Sequence, residues 1–199
     1  VPIRRTDWTP PEADVLSRSM WTGASQVNTL AGPARWRCKV ELPPLSAAAQ
    51  LAWRGFNAAL RGRANAFRLV AVEAAQRTPA GVLLGQARVY GDGQTGFQLI
   101  LANLPANQTV MKAGQKLTAV HPDGDEQLVE LAADLVSTAD VGTALLGSPL
   151  RRTYNTSTTA SIELGSPWAL MRKMQPVGWG VGPLTTRYDA ATVDCEEYF

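Results

Sequence analysis

One stretch limits the fold more than any other: Pro33 to Val72, where strand, helix and strand can be read from residue type and spacing. From Ala34 to Leu42 the chain alternates strictly, with Trp36, Cys38, Val40 and Leu42 on one side and Arg35, Arg37, Lys39 and Glu41 on the other. Period-two alternation of this kind makes a strand with one buried and one wet face. Pro43-Pro44 stops it. Ser46 then offers an N-cap, and Ala49, Trp53, Phe56 and Leu60 recur at helical spacing until Gly62 supplies a left-handed stop. The helix is therefore expected to lay an aromatic stripe on a sheet. A tight basic turn through Arg61 and Arg63 follows, and Phe67 to Val72 returns as a strand.

With 199 residues, the chain suits one domain of moderate size or a domain carrying an insertion, and it can bury about 70% of its unfolded surface. Two cysteines, Cys38 and Cys195, are too few for a disulfide framework. With the single histidine, His121, they do not complete a four-ligand zinc site without carboxylates, so they read as small buried apolar residues. A formal net charge of +2 gives no global field toward nucleic acid, and no base-recognition module is visible. No apolar run is long enough to span a bilayer, and the N-terminal residues lack the apolar core of a secretion signal, so no membrane insertion is expected.

The remaining chain is read as many short strands. Val1 to Leu16, with little periodicity, is expected to be an arm whose Trp8 needs a pocket. Ser19 to Asn28 reads as a strand forming a hairpin with Ala34–Leu42. Ala87–Tyr90 and Phe97–Leu101 flank a glycine turn, Leu117–Val120 and Gln127–Leu131 flank Asp123-Gly124, and Asp134–Ser137 precedes Gly142–Leu146. These strands suggest a small barrel of their own. Beyond Arg152, Ala160–Leu164 reads as a short strand, Pro167–Arg172 as a bend and Val177–Val181 as a glycine-relieved strand. The alternating Ala191–Phe199 is expected to add to the first sheet. The expected fold is all-β with one main α-helix: a β-sandwich or split-barrel core from residues 1–85 and 152–199, with a small β-barrel inserted at 86–151.

Chemistry-bearing residues were weighed for enzymatic, metal and binding roles. His121 stands in a hairpin tip, where a solvated turn residue explains it better than a Ser-His-Asp or Cys-His mechanism. The acidic turns Asp123-Gly124-Asp125-Glu126 and Gly91-Asp92-Gly93 lack the spaced ligands of a calcium loop, and Gly91–Gly96 lacks the Lys-Ser/Thr of a phosphate cradle. Glu196-Glu197, or Glu163 with Asp189, are carboxylate pairs that a glycosidase would use at a fixed separation that spacing does not give. No catalytic, cofactor or metal residue is therefore assigned. Arg35, Arg37, Arg61, Arg63 and Arg68 can either solvate the surface or grip a partner's acidic rim through guanidinium forks.

Taken in order, several motifs resemble the distal-tail or baseplate-hub proteins of long-tailed bacteriophages. They are Trp36 and the strand into Leu42-Pro43-Pro44, Trp53 and Phe56 leading to Leu60-Arg61-Gly62-Arg63 and Phe67, and then Gly91-Asp92-Gly93-Gln94-Thr95-Gly96 and Leu104-Pro105. Lys112-Ala113-Gly114-Gln115, Asp134, Asp140-Val141-Gly142, Ser148-Pro149-Leu150-Arg151, Tyr188-Asp189, Val193 and Glu196-Glu197 complete the set. The likeness covers most of the chain beyond about Gly23. It departs at Gln115, where that family's usual residue is acidic, and at Ser148, where many relatives have proline. The resemblance implies a non-enzymatic structural subunit of the virion tail tip, made in the bacterial host cytoplasm and needing no cofactor. It implies a sixfold ring of identical copies joining the tail tube protein to the tape-measure and tip or hub proteins. Arg35, Arg37, Arg61, Arg63 and Trp8 are then the candidate subunit interface, since a head-to-tail contact that closes makes a ring. The alternative is a host-surface or carbohydrate-binding module, with Tyr90 and Phe97 of the barrel as a shallow platform. A wall hydrolase ranks third.

Overall fold

A computed structural model describes residues 3–11, 14–18, 20–22, 25–29, 35–71, 75–156, 161–176, 187–188 and 191–199. The protein is all-β with one main helix. It divides into two compact units, one of Val1–Asn65 with Arg172–Tyr198 and the other of Ala66–Met171 with Phe199. The boundaries expected from sequence lie at 85/86 and 151/152.

The first unit begins with β1 (Arg5–Thr9), β2 (Asp14–Arg18), β3 (Ser25–Thr29) and β4 (Arg37–Glu41). The expected alternation of β4 holds, with Trp36, Cys38, Val40 and Leu42 buried and Arg35, Arg37 and Lys39 exposed. Two neighbour assignments differ from expectation. The N-terminal segment is a paired strand, β1, lying antiparallel on β4 with Trp8 opposite Cys38. The strand near residue 25 pairs with β2, Leu16 opposite Val27, and makes no hairpin with β4. The reason is that β4 has a neighbour on each side already: β1, and the C-terminal strand described below.

β5 (Leu45–Ser46) leads into α1 (Ala47–Ala59). Ser46 caps the helix, its extended backbone placing Oγ to accept from the Ala49 N–H at 3.4 Å. At the other end Arg61 (φ 46°) and Gly62 (φ 73°) are both left-handed. Asn65 donates its backbone N–H to Leu60 O and its side-chain amide to Ala59 O, so the last carbonyls are satisfied. The buried face of α1 is turned from the expected one: Gln50, Trp53 and Asn57 are buried, Phe56 is half-buried and tilts against Trp53 with ring centroids 5.5 Å apart.

The second unit holds β6 (Phe67–Val70), β7 (Gln86–Val89), β8 (Gln94–Ala102), β9 (Thr109–Met111), β10 (Lys116–Val120), β11 (Glu126–Glu130), β12 (Leu135–Thr138), β13 (Val141–Tyr154), β14 (Ser161–Glu163) and β15 (Trp168–Lys173), whose last two residues belong to the first unit. Eight of them form one sheet in the order β11-β10-β14-β7-β8-β13-β12-β9. The expected pairs around the glycine turn, the Asp-Gly turn and Asp134–Leu146 are all present. β14, placed with the return strands from sequence, lies between β10 and β7. The segment 167–172, read as a bend, is strand β15 and pairs with β6, Met171 opposite Phe67.

The eight-stranded sheet curls until β11 meets the far half of β13. Leu131 bridges Leu146, and Ala132 N–H donates to Leu145 O at 2.8 Å. Further along, Pro149 has no N–H to give. There the Gln127 amide bonds the strand instead, donating to Pro149 O and accepting from Arg151 N–H, both at 2.8 Å. This contact covers the edge of β11, while β9 stays the other end of the sheet. A cluster of nineteen apolar residues fills the interior, among them Leu99, Leu101, Leu117 and Ile162 at 0% exposure.

The chain returns to the first unit through β16 (Arg187–Tyr188), which pairs with β5, and β17 (Thr192–Glu197). As expected, β17 adds antiparallel to β4, with Cys195 directly opposite Cys38. Val177–Val181 and Asp189 lie outside the described residues.

Candidate functional site

The candidate interface residues occupy different places. Residues directly opposite on antiparallel strands share a face, so Trp8, opposite Cys38, belongs to the covered face, and Arg37 to the wet one. Trp8 packs edge-on against Trp36 with centroids 6.1 Å apart, and its Nε1–H meets no acceptor among the described residues. Strand alternation alone separates it from Arg35 and Arg37. Arg61 and Arg63 stand exposed in the turn after α1.

On the wet face the register pairs unlike charges. Lys39 lies between Asp7 and Asp194, Arg37 between Thr9 and Glu196, and Glu41 between Arg5 and Thr192. Arg5 Nε also donates to Asp7 Oδ1 at 2.7 Å. Such cross-strand pairs each contribute a few tenths to about 1 kcal/mol, so this face is largely neutralised within the unit. Sequence alone shows Arg35, Arg37 and Lys39 as one basic side; the neutralising acids come from strands far away in sequence.

Beneath the sheet's other face lies a polar layer that hydropathy did not reveal. Asn57 donates through Nδ2 to Trp53 O at 3.4 Å and accepts through Oδ1 from Lys173 Nζ at 3.0 Å. Lys173 is 5% exposed. Its position is legible only once β15 is recognised as a strand, because Ala169, Met171 and Lys173 then point inward together. Glu197, also buried, accepts from the Trp36 N–H at 3.2 Å. Cys38 and Cys195 are free thiols pushed up to about 12, first by burial; the charge of Cys195 adds to the rise at Cys38, and that of Asp194 at Cys195. Both are neutral near pH 7 and unreactive as nucleophiles.

In the barrel the weighed residues serve turns and ion pairs. His121 Nδ1 accepts from the Asp123 N–H at 3.3 Å, and its ring stands edge-on to Tyr154 with centroids 5.5 Å apart. Burial first, then the charge of Asp125, pushes the Tyr154 hydroxyl well above its ordinary range. Asp125 pairs with Arg152 at 3.1 Å, while the buried Glu126 holds Arg68 in a fork and accepts from Trp168 Nε1 at 2.7 Å. Arg68 also lies over the Trp168 ring, 4.8 Å from its centroid. Glu163 Oε1 accepts from the Gly165 and Ser166 N–H groups, both at 3.0 Å. Glu196 and Glu197 fall on opposite faces of β17, so they do not converge on one substrate.

The motif residues have equally local work. Asp92 Oδ1 accepts from Thr156 N–H, and Gly91 and Gly93 donate to Thr156 and Asn155 side chains, tying the glycine loop to the end of β13. Gln115, where an acid was expected, accepts from Lys112 N–H at 2.8 Å, and Asp134 takes the Ala113 N–H and the Lys112 ammonium. Gly142 is forced: a Cβ there would lie 2.7 Å from Val136 O. Next to the tied loop, Tyr90 and Phe97 are 54% and 57% exposed.

No model of a known protein family matches the chain, and no curated protein matches it.

Proposed function

We propose that this chain is a structural subunit of the tail tip of a long-tailed bacteriophage, assembling with copies of itself into a closed ring between the tail tube and the baseplate or hub. The observation that carries the reading is the build of the chain. Its two ends form a sheet-and-helix unit, its middle forms a curled eight-stranded sheet, and motif residues fall on turns of both and at the close approach of Gly142. A ring needs a rigid unit presenting two different surfaces to its neighbours, and Arg61 and Arg63 give one exposed basic corner. Light scattering and negative-stain imaging of the purified chain, alone and with tail-tube protein, are expected to show rings that join tubes. A strict monomer that never joins tails would sink the reading. Reversing both charges, Arg61→Glu with Arg63→Glu, is expected to lower ring yield at least tenfold at unchanged melting temperature; normal yield removes those two residues from the seam.

A second reading has an observation of its own. Tyr90 and Phe97 are exposed at the two ends of a loop that hydrogen bonds hold in place, and an exposed ring on a fixed support is what stacking on a sugar requires. Glycan-array binding lost in a Tyr90→Ser, Phe97→Ser double variant would favour it over a purely structural role.

A further inference from the structure

The solvent side of α1 is apolar. Ala48, Leu51, Ala52, Gly55, Ala58 and Ala59 recur at spacings of three and four, forming one stripe down the helix, and all are exposed, Leu51 by 66%. A Cβ added at Gly55 would meet nothing within 4 Å. Arg54 is the only charged residue of the helix, where a solvated face ordinarily carries a run of charged and polar side chains. Thirteen residues make this stripe about 20 Å long.

Beside the stripe lies an open cleft of about 560 Å³, walled by Leu51, Gly55 and Ala58 of the helix and by Pro176. Its polar lining is Arg54, Asn57 and Lys173, with no acidic residue. Lys173 is more than nine-tenths buried, and Asn57 Oδ1 is the one acceptor its Nζ meets among the described residues. An ammonium has three donors. A buried cation held by one neutral oxygen lacks the counter-charge that ordinarily accompanies it.

We propose that the stripe and the cleft together are a docking site for a segment of a partner protein in which a carboxylate side chain stands among apolar ones. The apolar side chains cover Leu51, Gly55 and Ala58. The carboxylate enters the cleft and accepts from Lys173. Charge sets the choice of occupant, because the lining around the buried Lys173 holds no acidic residue. In this chain Asp7, Asp125, Glu126, Glu130 and Asp134 are already in ion pairs with Arg5, Arg152, Arg68, Lys116 and Lys112, so a second copy would have to supply the carboxylate from its other acids. The proposal does not depend on the ring reading.

The test is selection from a random twelve-residue peptide library panned on the immobilised full chain, followed by binding of the synthetic consensus peptide. The expected consensus has Asp or Glu flanked by apolar residues. Its affinity should fall at least tenfold when that acid becomes the amide, on Lys173→Met, and on Gly55→Arg. Circular dichroism melts check each variant, and Gly55→Arg, on an open helix surface, keeps the test decisive if Lys173→Met fails to fold. No enrichment, a consensus lacking a carboxylate, or equal affinity for the variants would overturn the proposal. A dimer in sedimentation that Gly55→Arg abolishes would overturn the foreign partner in favour of a second copy.

Discussion

Leu99, Leu101, Leu117 and Ile162 are sealed inside the barrel at 0% exposure, whereas the helix of the other unit buries Gln50, Trp53 and Asn57, the last of them accepting from a buried ammonium. The barrel's apolar cluster is sealed as its sheet curls, and buried polar groups such as Thr118, Gln127 and Ser137 bond backbone. The sheet-and-helix unit has fewer layers to fill. It buries Gln50 Nε2 and Trp53 Nε1 with no acceptor among the described residues and turns alanines and a leucine toward water. Both units bury polar atoms that meet no hydrogen-bond partner among the described residues, Gln76 Oε1 in the barrel's unit among them, so what sets the helix unit apart is the apolar stripe on the exposed side of its helix.

The contrast can be broken most severely inside the barrel. Leu101→Ala is expected to cost about 3–4 kcal/mol in urea unfolding, because a closed, close-packed core collapses poorly around a cavity; a loss below about 1 kcal/mol would show a softer interior. Gly165→Ala comes next, at about 2 kcal/mol, since a Cβ there would run into Leu84 O, a backbone atom with little freedom to move. In the sheet-and-helix unit the thiols make stability fall with alkali. The unfolded chain ionises near pH 8.5–9 while the folded thiols hold their protons to about 12, so their contribution is full below pH 8.5 and is lost as pH rises toward 12. Each thiol is expected to remove about 1 kcal/mol by pH 9.5, a slope that Cys38→Ala with Cys195→Ala should flatten. The smallest effect belongs to Ser46→Ala, about 0.5 kcal/mol, because the 3.4 Å capping bond is long.

Where side-chain polarity and position agree, the fold was legible: the alternation of Trp36 to Leu42, the Ser46 cap, the Asp-Gly turn at Gly124 and the C-terminal strand all stand as their residues indicate. Where a polar residue faces inward, pattern misleads. Gln50 and Asn57 carry the helix's buried line away from Phe56, and Lys173 hides the strand that contains it. Strand neighbours were harder still, since β1 and β17 compete with the nearer β3 for the two sides of β4 and only the folded chain shows which strands win. The same holds for the arginines. Glu196, 159 positions after Arg37, stands opposite it, and no local window contains both.

The barrel's unit is continuous from Ala66 to Met171, and its ends leave side by side, Phe67 and Met171 being direct partners across β6 and β15. Antiparallel partners sit about 5 Å apart, a gap that one or two residues can span. The chain therefore enters and leaves this segment on neighbouring strands, which brings two residues 104 positions apart in sequence to one place on the ladder.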